Sequence, residues 1–385
     1  MRHIVWFFPY QGIKFRSASG QVVMKQNVNK PTLQDVARKA GVSTATVSRC
    51  LNFPDQVAGR TQEKVNNAVR ELGYSPDFGA KAMAARRTNT IGAIIPTMAN
   101  ALFARGLQAF QEELQLHGFT TLVASTSYSS ETEEQQIRSL VARGADGLLL
   151  IGHERDPEIY RFLETQGVPV LISWVYDTAA TRPSVGFDNA AAMKEMANEV
   201  ISLGHRQIAL ISAELEFNDR ATARLHGIQD AMSEAGLDAS NLQVVETYYG
   251  IDEGAVAFDE LMKTAKPPTA VLCGNDVLAV GALRRARELD IKVPEQVSII
   301  GFDDLDLARA TFPALTTVLV PHREMGKQAA IALASKVKDD APIQSYELKT
   351  KLVFRDTLGP VLYPSVRCSF RARLNKMGRK MCNLG

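Results

Sequence analysis

From Thr90 onward the chain repeats one alternation: a short, nearly unbroken apolar run, then a stretch with helical spacing. The runs are "TIGAIIP", "TTLVAST", "DGLLLIG", "VPVLIS", "QIALIS", "TAVLCGND", "VSIIGFDD" and "TTVLVP", and "LFARGLQAFQEELQLHG" is typical of the segments that separate them. A strand that is apolar on both faces must be covered on both, which a parallel sheet flanked by helices provides. The 385 residues exceed what one hydrophobic core serves. The alternation therefore predicts two doubly wound lobes within 90–358, roughly 90–188 with 320–345 and 189–318 with 346–358.

The segment before this core has a different texture. "TLQDVARKA" places Leu33, Val36, Ala37 and Ala40 on one face, with Thr32 as N-cap and Gly41 as terminator. "STATVSRCLN" starts at the cap residue Ser43 and sets Val47 and Leu51 four apart, leaving Thr44, Ala45, Ser48 and Arg49 off the stripe. "TQEKVNNAVRELGY" starts at Thr61, presents Val65, Ala68, Val69 and Leu72, and closes at Gly73. Two short helices across a tight turn, with a third in support, let one helix enter a major groove about 12 Å wide. The whole chain carries only +2, but Pro31 to Thr90 holds nine basic residues against five acidic ones, a modest pointer to phosphate.

Residues 1–30 share no periodicity with the helical patterns beyond them, and Met24 stands just before the first of these. The expectation is a start at Met24, with 1–30 a non-native or disordered extension. Beyond Pro360 the tail has six basic residues and no acidic one, so 359–385 is expected to be a disordered basic tail. The apolar piece "IVWFFPY" is too short to span a bilayer and lacks a cleavage pattern. Cys50, Cys273, Cys368 and Cys382 show neither C-x-x-C nor a histidine at metal spacing. These features predict a cytoplasmic protein with no membrane partner, no metal and no cofactor other than a small-molecule effector.

"TLQDVARKAGVSTATVSRCLN" followed by "VNNAVRELGYSPDFGAKAMAARRTNTIGAIIP" resembles the DNA-binding head and hinge of the lactose-repressor (LacI/GalR) family of bacterial transcription regulators. The likeness runs from about Pro31 to Thr357. It implies a helix-turn-helix DNA-binding head at 31–76, a hinge helix at 77–89, and a two-lobed, periplasmic-binding-protein-like α/β core at 90–358. The family's second helix reads the major groove, which assigns operator contacts to Thr44, Ala45, Thr46, Ser48, Arg49 and Asn52, with Thr32 beside them. The hinge implies minor-groove contacts from Ala80 and a wedge from Met83, where leucine is usual. Asp77 stands where the family has asparagine.

In doubly wound sheets ligands collect at the carboxyl ends of strands. Those ends supply Ser173 and Trp174, Asp188 and Asn189, Asn275 and Asp276, and Asp303 and Asp304, a mixture of hydrogen-bonding groups and an aromatic face that suits a polyhydroxylated or cyclic small molecule. The resemblance adds Phe103 from "NALF", Arg224 from "NDRATARLHGI" and Tyr249 from a loosely aligned stretch, and it also picks out Asn275 and Asp303. Ser173 stands where many members have aspartate, and Val320 where the lactose-binding member has glutamine, so that member's galactoside specificity does not transfer. Asp303 and Asp304 are consecutive and point apart in an extended chain. No nucleophile elbow, H-E-x-x-H or phosphate loop occurs, and His205 lies before a strand, away from the cleft.

The sequence thus predicts a non-enzymatic repressor, a homodimer or a tetramer, on double-stranded operator DNA. A sugar-like effector between the lobes would move them and change how the two hinges pair. A solute-binding protein of a sugar-uptake system is the alternative; it predicts an export signal and no DNA-binding head.

Overall fold

The computed structural model describes residues 30–75, 87–98 and 101–361. The expectations for 1–29, for the hinge residues Asp77, Ala80 and Met83, and for 362–385 lie outside these residues. Two boundaries are corrected within them: 87–89, expected in the hinge helix, are not helical, and 359–361, expected in the disordered tail, are held to the core, Gly359 N donating to Ser298 Oγ at 3.1 Å and Val361 N to the Leu203 carbonyl at 3.2 Å. Two compact units result, divided near Lys81.

In the first unit, α1 (Leu33–Ala40) begins at a capping box: Thr32 Oγ1 accepts from Asp35 N, and Asp35 accepts from Thr32 N at 2.9 Å. It ends at Gly41, whose φ of 67° is cheap only without a Cβ. Ser43 caps α2 (Thr44–Asn52), accepting from Thr46 N at 3.1 Å. The third helix, α3 (Gly59–Leu72), starts two residues before the expected Thr61 because the Ala58 carbonyl accepts from Thr61 N and Gln62 N with no side-chain cap. Val36, Ala37, Ala40, Val47, Cys50, Val65 and Ala68 make the core of this unit.

The second unit is built on parallel sheet. One sheet has six strands, all parallel: β1 (Thr90–Ile95), β2 (Thr120–Ser125), β3 (Gly147–Ile151), β4 (Val170–Ser173), β5 (Ser184–Gly186) and β11 (Tyr346–Glu347), in the order β11-β5-β4-β3-β1-β2. The other has β6 (Ile208–Ser212), β7 (Gln243–Glu246), β8 (Ala270–Cys273) and β9 (Ser298–Ile300), in the order β7-β6-β8-β9. An antiparallel pair, β10 (Thr317–Leu319) with β12 (Lys351–Val353), joins by single bridges beside β9. All eight apolar runs are strands. One lobe boundary needs correction: Tyr346 and Glu347 pair with Val185 and Gly186, so the return to the second lobe falls after 347 and not at 346.

Helices cover both faces of both sheets. In the first lobe α4 (Ala101–Leu116) and α12 (His322–Asp339) lie on one face, opposite α5 (Ser130–Ala142) and α6 (Pro157–Gln166). In the second, α7 (Asn189–Ser202) and α8 (Asp219–Glu234) lie opposite α9 (Ile251–Met262) and α10 (Asp276–Glu288). The pairs are packed to backbone contact. A Cβ on Gly326 would stand 1.9 Å from the Gly106 carbonyl oxygen, and one on Gly281 would stand 2.1 Å from that of Ile251.

Candidate functional sites: a helix-turn-helix face and a strand-end cleft

On the head, burial of Val47 and Cys50 turns the opposite side of α2 outward. Thr44, Ala45, Arg49 and Asn52 are exposed, and Thr46 and Ser48 are half-buried. Two of these hydroxyls already have partners: Thr46 Oγ1 lies 2.9 Å from Ser43 Oγ, and Asn52 Nδ2 donates to Ser48 Oγ at 3.3 Å. Thr32 is held in its capping box at the start of α1. Arg49 makes no ion pair among the described residues, so its guanidinium is available to an external anion or base edge.

In the core, a small cleft opens where the strands end. Leu102 and Phe103 follow β1, Tyr128 follows β2, Trp174 follows β4, and Phe187 and Asn189 follow β5. From the second lobe come Asn218, Arg220 and Arg224 after β6, Tyr249 after β7, Gly274 and Asn275 after β8, and Asp303 after β9. Tyr128 and Tyr249 face each other across the two lobes with ring centroids 5.7 Å apart.

Arg224, 8% exposed, is no surface charge. Its Nη1 donates to Asn189 Oδ1 at 2.6 Å and its Nη2 to the Tyr249 hydroxyl at 3.0 Å, and the guanidinium lies 5.1 Å over the Phe302 ring. Asn275 combines two roles: Oδ1 caps α10 by accepting from Leu278 N at 2.9 Å, while the buried Nδ2 has no partner among the described residues. Trp174 packs against Phe103 at 5.4 Å and donates from Nε1 to His322 Nδ1 at 3.3 Å. The other nitrogen of His322 lies 3.5 Å from Asp303 Oδ1. Burial pushes the Asp303 carboxyl well above the usual range, and burial pushes Asp276 behind it up to about 7. Asp304 turns away to Arg355 at 2.6 Å, so the two consecutive acids do not act as a pair.

Two expected cleft residues are not in the lining. Ser173 donates from Oγ to the Val185 carbonyl at 2.7 Å, inside the sheet. Asp188 is exposed and caps α7, accepting from Ala191 N at 2.9 Å; an N-cap side chain must turn back onto its own helix. The neighbouring residue, Asn189, reaches the cleft instead. Sequence reasoning had both at the strand end, but it missed Tyr128, Asn218, Arg220, Leu102 and Phe187. Arg220 was legible, standing one turn before Arg224 in the same helical stretch. His205 belongs to the amino end of β6, bonded to Thr269 Oγ1 and the Gly359 carbonyl, both at 2.9 Å.

The backbone around the cleft is unusual. Of the nine non-glycine residues with positive φ among the described residues, Tyr128, Trp174 and Asp303 line it and Ser127, Phe217 and Asp304 adjoin lining residues in sequence, with φ between 49° and 106°. Such clustering marks a site where geometry is held against local preference.

Residues 32–77 match the family model of bacterial regulatory proteins, lacI family, and 197–358 match that of the periplasmic binding protein-like domain. The HTH-type transcriptional repressor PurR of Vibrio atlanticus (strain LGP32) is 33% identical over 331 residues, covering 85% of this chain and 98% of that protein. The chain belongs to the LacI family. Its other LacI-family likenesses include the HTH-type transcriptional regulator GntR of Escherichia coli (strain K12), 31% identical over 81% of this chain and 93% of that protein. A Lac repressor dimer solved with operator and the anti-inducer ONPF superposes with a TM-score of 0.75 at 26% identity, covering 86% of this chain and 99% of that one. The chain is therefore a DNA-binding transcription regulator. No helix among the described residues is long and apolar enough to cross a membrane.

Proposed function

We propose that this regulator is a cytoplasmic repressor that binds a double-stranded operator as a homodimer and is controlled by a sugar-like effector in its cleft. The carrying observation is the convergence of strand ends from both lobes on one small, aromatic and polar cleft, in a chain that also carries a helix-turn-helix. Thr44, Ala45, Thr46, Ser48, Arg49 and Asn52 would read base edges and phosphates, with the first turn of α1 at Thr32 against the backbone. Ala80 and Met83 would contact the minor groove. Phe103, Trp174 and Tyr249 would pack on an apolar ring face, and Asn189, Arg224, Asn275 and Asp303 would hold its polar groups.

Closing the lobes on the effector changes how the two hinges meet and hence operator affinity. A differential affinity on the order of 1–3 kcal/mol between two core arrangements suffices. A solute-binding role finds no use for a head with an exposed recognition helix.

The test is binding of the full chain to DNA upstream of its own gene across a salt series, with and without a panel of sugars and sugar derivatives. Selective binding with a steep salt slope, altered by one panel member, is the expected result. Arg49→Ala should weaken operator binding about tenfold or more, the cost of one good base contact. Unselective binding, or a response to no effector, would sink this reading.

A further inference from the structure

We propose that the effector is an acidic polyol whose carboxylate or phosphate oxyanion is held by Arg224 and Arg220, with its hydroxyls toward Asp303. This rests on reading the cleft as the effector site. Other guanidinium groups held in the core have carboxylates beside them: the buried Arg155 lies 2.9 Å from Glu133, and the partly buried Arg355 lies 2.6 Å from Asp304. Arg224 does not. Its partners are a neutral amide oxygen and a neutral hydroxyl, and no carboxylate oxygen among the described residues comes within 4 Å of it. A buried cation with no carboxylate in contact is costly, and an anionic ligand lowers that cost.

The unpartnered groups point the same way. Arg224 and Asn275 line the cleft, and the buried Nε of the one and Nδ2 of the other have no hydrogen-bond partner among the described residues. Both are donors. Tyr249 accepts from Arg224, which frees its own proton to donate. A cleft with surplus donors calls for a ligand rich in lone pairs.

Arg220 stands one turn earlier on the same face of α8, nine-tenths buried, its Nη1 on Asp219 at 2.7 Å. Asp219 also accepts from the His153 backbone N–H of the opposite lobe, so its charge is shared across the cleft. The amino end of α8 adds the positive end of its dipole. Asp303 is the one carboxylate in the lining among the described residues, and burial favours its neutral form. Two guanidinium groups thus share the lining with one carboxylate.

The experiment is calorimetric titration of the full chain with matched sets: a hexonate, a hexuronate, a hexose phosphate and the neutral hexose. The acid of the right skeleton should bind about a hundredfold more tightly than its neutral parent, as expected for charge-assisted, bidentate contacts. Comparing carboxylate with phosphate members identifies the oxyanion. Arg220→Gln and Arg224→Gln, each confirmed folded by thermal unfolding, should lower affinity for the acid more than for the neutral sugar. Equal or tighter binding of neutral members would overturn the anion assignment and leave the cleft as the effector site. Binding of no member, with operator binding intact, would overturn both.

Discussion

His322 shows how one side chain can hold the cleft without lining it. It accepts from Trp174 on one side and faces Asp303 on the other, so aromatic wall and acid meet through a single imidazole. Burial, reinforced by the nearby Arg105 charge, pushes it down from 6.5 to about 3. Because the folded value lies below the unfolded one, its contribution to stability is present above pH 6.5 and is lost as the pH falls toward 3. Thermal unfolding of the core should therefore show a decline between pH 6 and about 4 that is shallower in His322→Gln; identical curves would remove the assignment. At this scale the sequence was legible where a residue type has one outlet. Arg224 and Trp174 have large polar or aromatic groups that a strand-end cleft accommodates. Ser173 and Asp188 have short ones that bond their own backbone neighbourhood, and nothing in a single sequence separates a cap from a ligand contact.

Elements were legible in proportion to their burial. Strands covered on both faces, such as "IALIS" and "AVLC", announce themselves as unbroken apolar runs. The edge strands Gln243–Glu246 and Tyr346–Glu347 are short and partly or wholly exposed, and they carry no such run. Helix pairing was not legible either, since it depends on which glycines face each other. Gly326 and Gly106 bring α12 and α4 to backbone contact, so Gly326→Ala should destabilise the core by about 2 kcal/mol through overpacking. Denaturant unfolding measures this, and an unchanged midpoint would mean the helices slide apart without cost. At the head, Thr32→Ala removes the cap of α1 and should cost about 1 kcal/mol, read as a lower melting temperature of the head.

For the whole molecule, the division into two units has a direct consequence for how function is distributed. Each has its own hydrophobic cluster, one within 33–74 and the others within the core. A chain beginning at Ala82 should bind effector with the affinity of the full chain and show no selective operator binding. Calorimetry and a DNA-binding assay on the same preparation decide this; lost effector affinity would show that the core needs the head. The left-handed residues around the cleft bear on the molecule's prospects under change. Each costs on the order of 1–3 kcal/mol, so the chain surrenders stability at the proposed effector cleft. A laboratory lineage selected only for heat tolerance should relax Ser127, Tyr128, Trp174 or Asp303 first and hold its shape better while answering its effector less well. One selected for a new effector has to keep that debt, and would need its stability from the glycine-packed helix pairs behind the sheets.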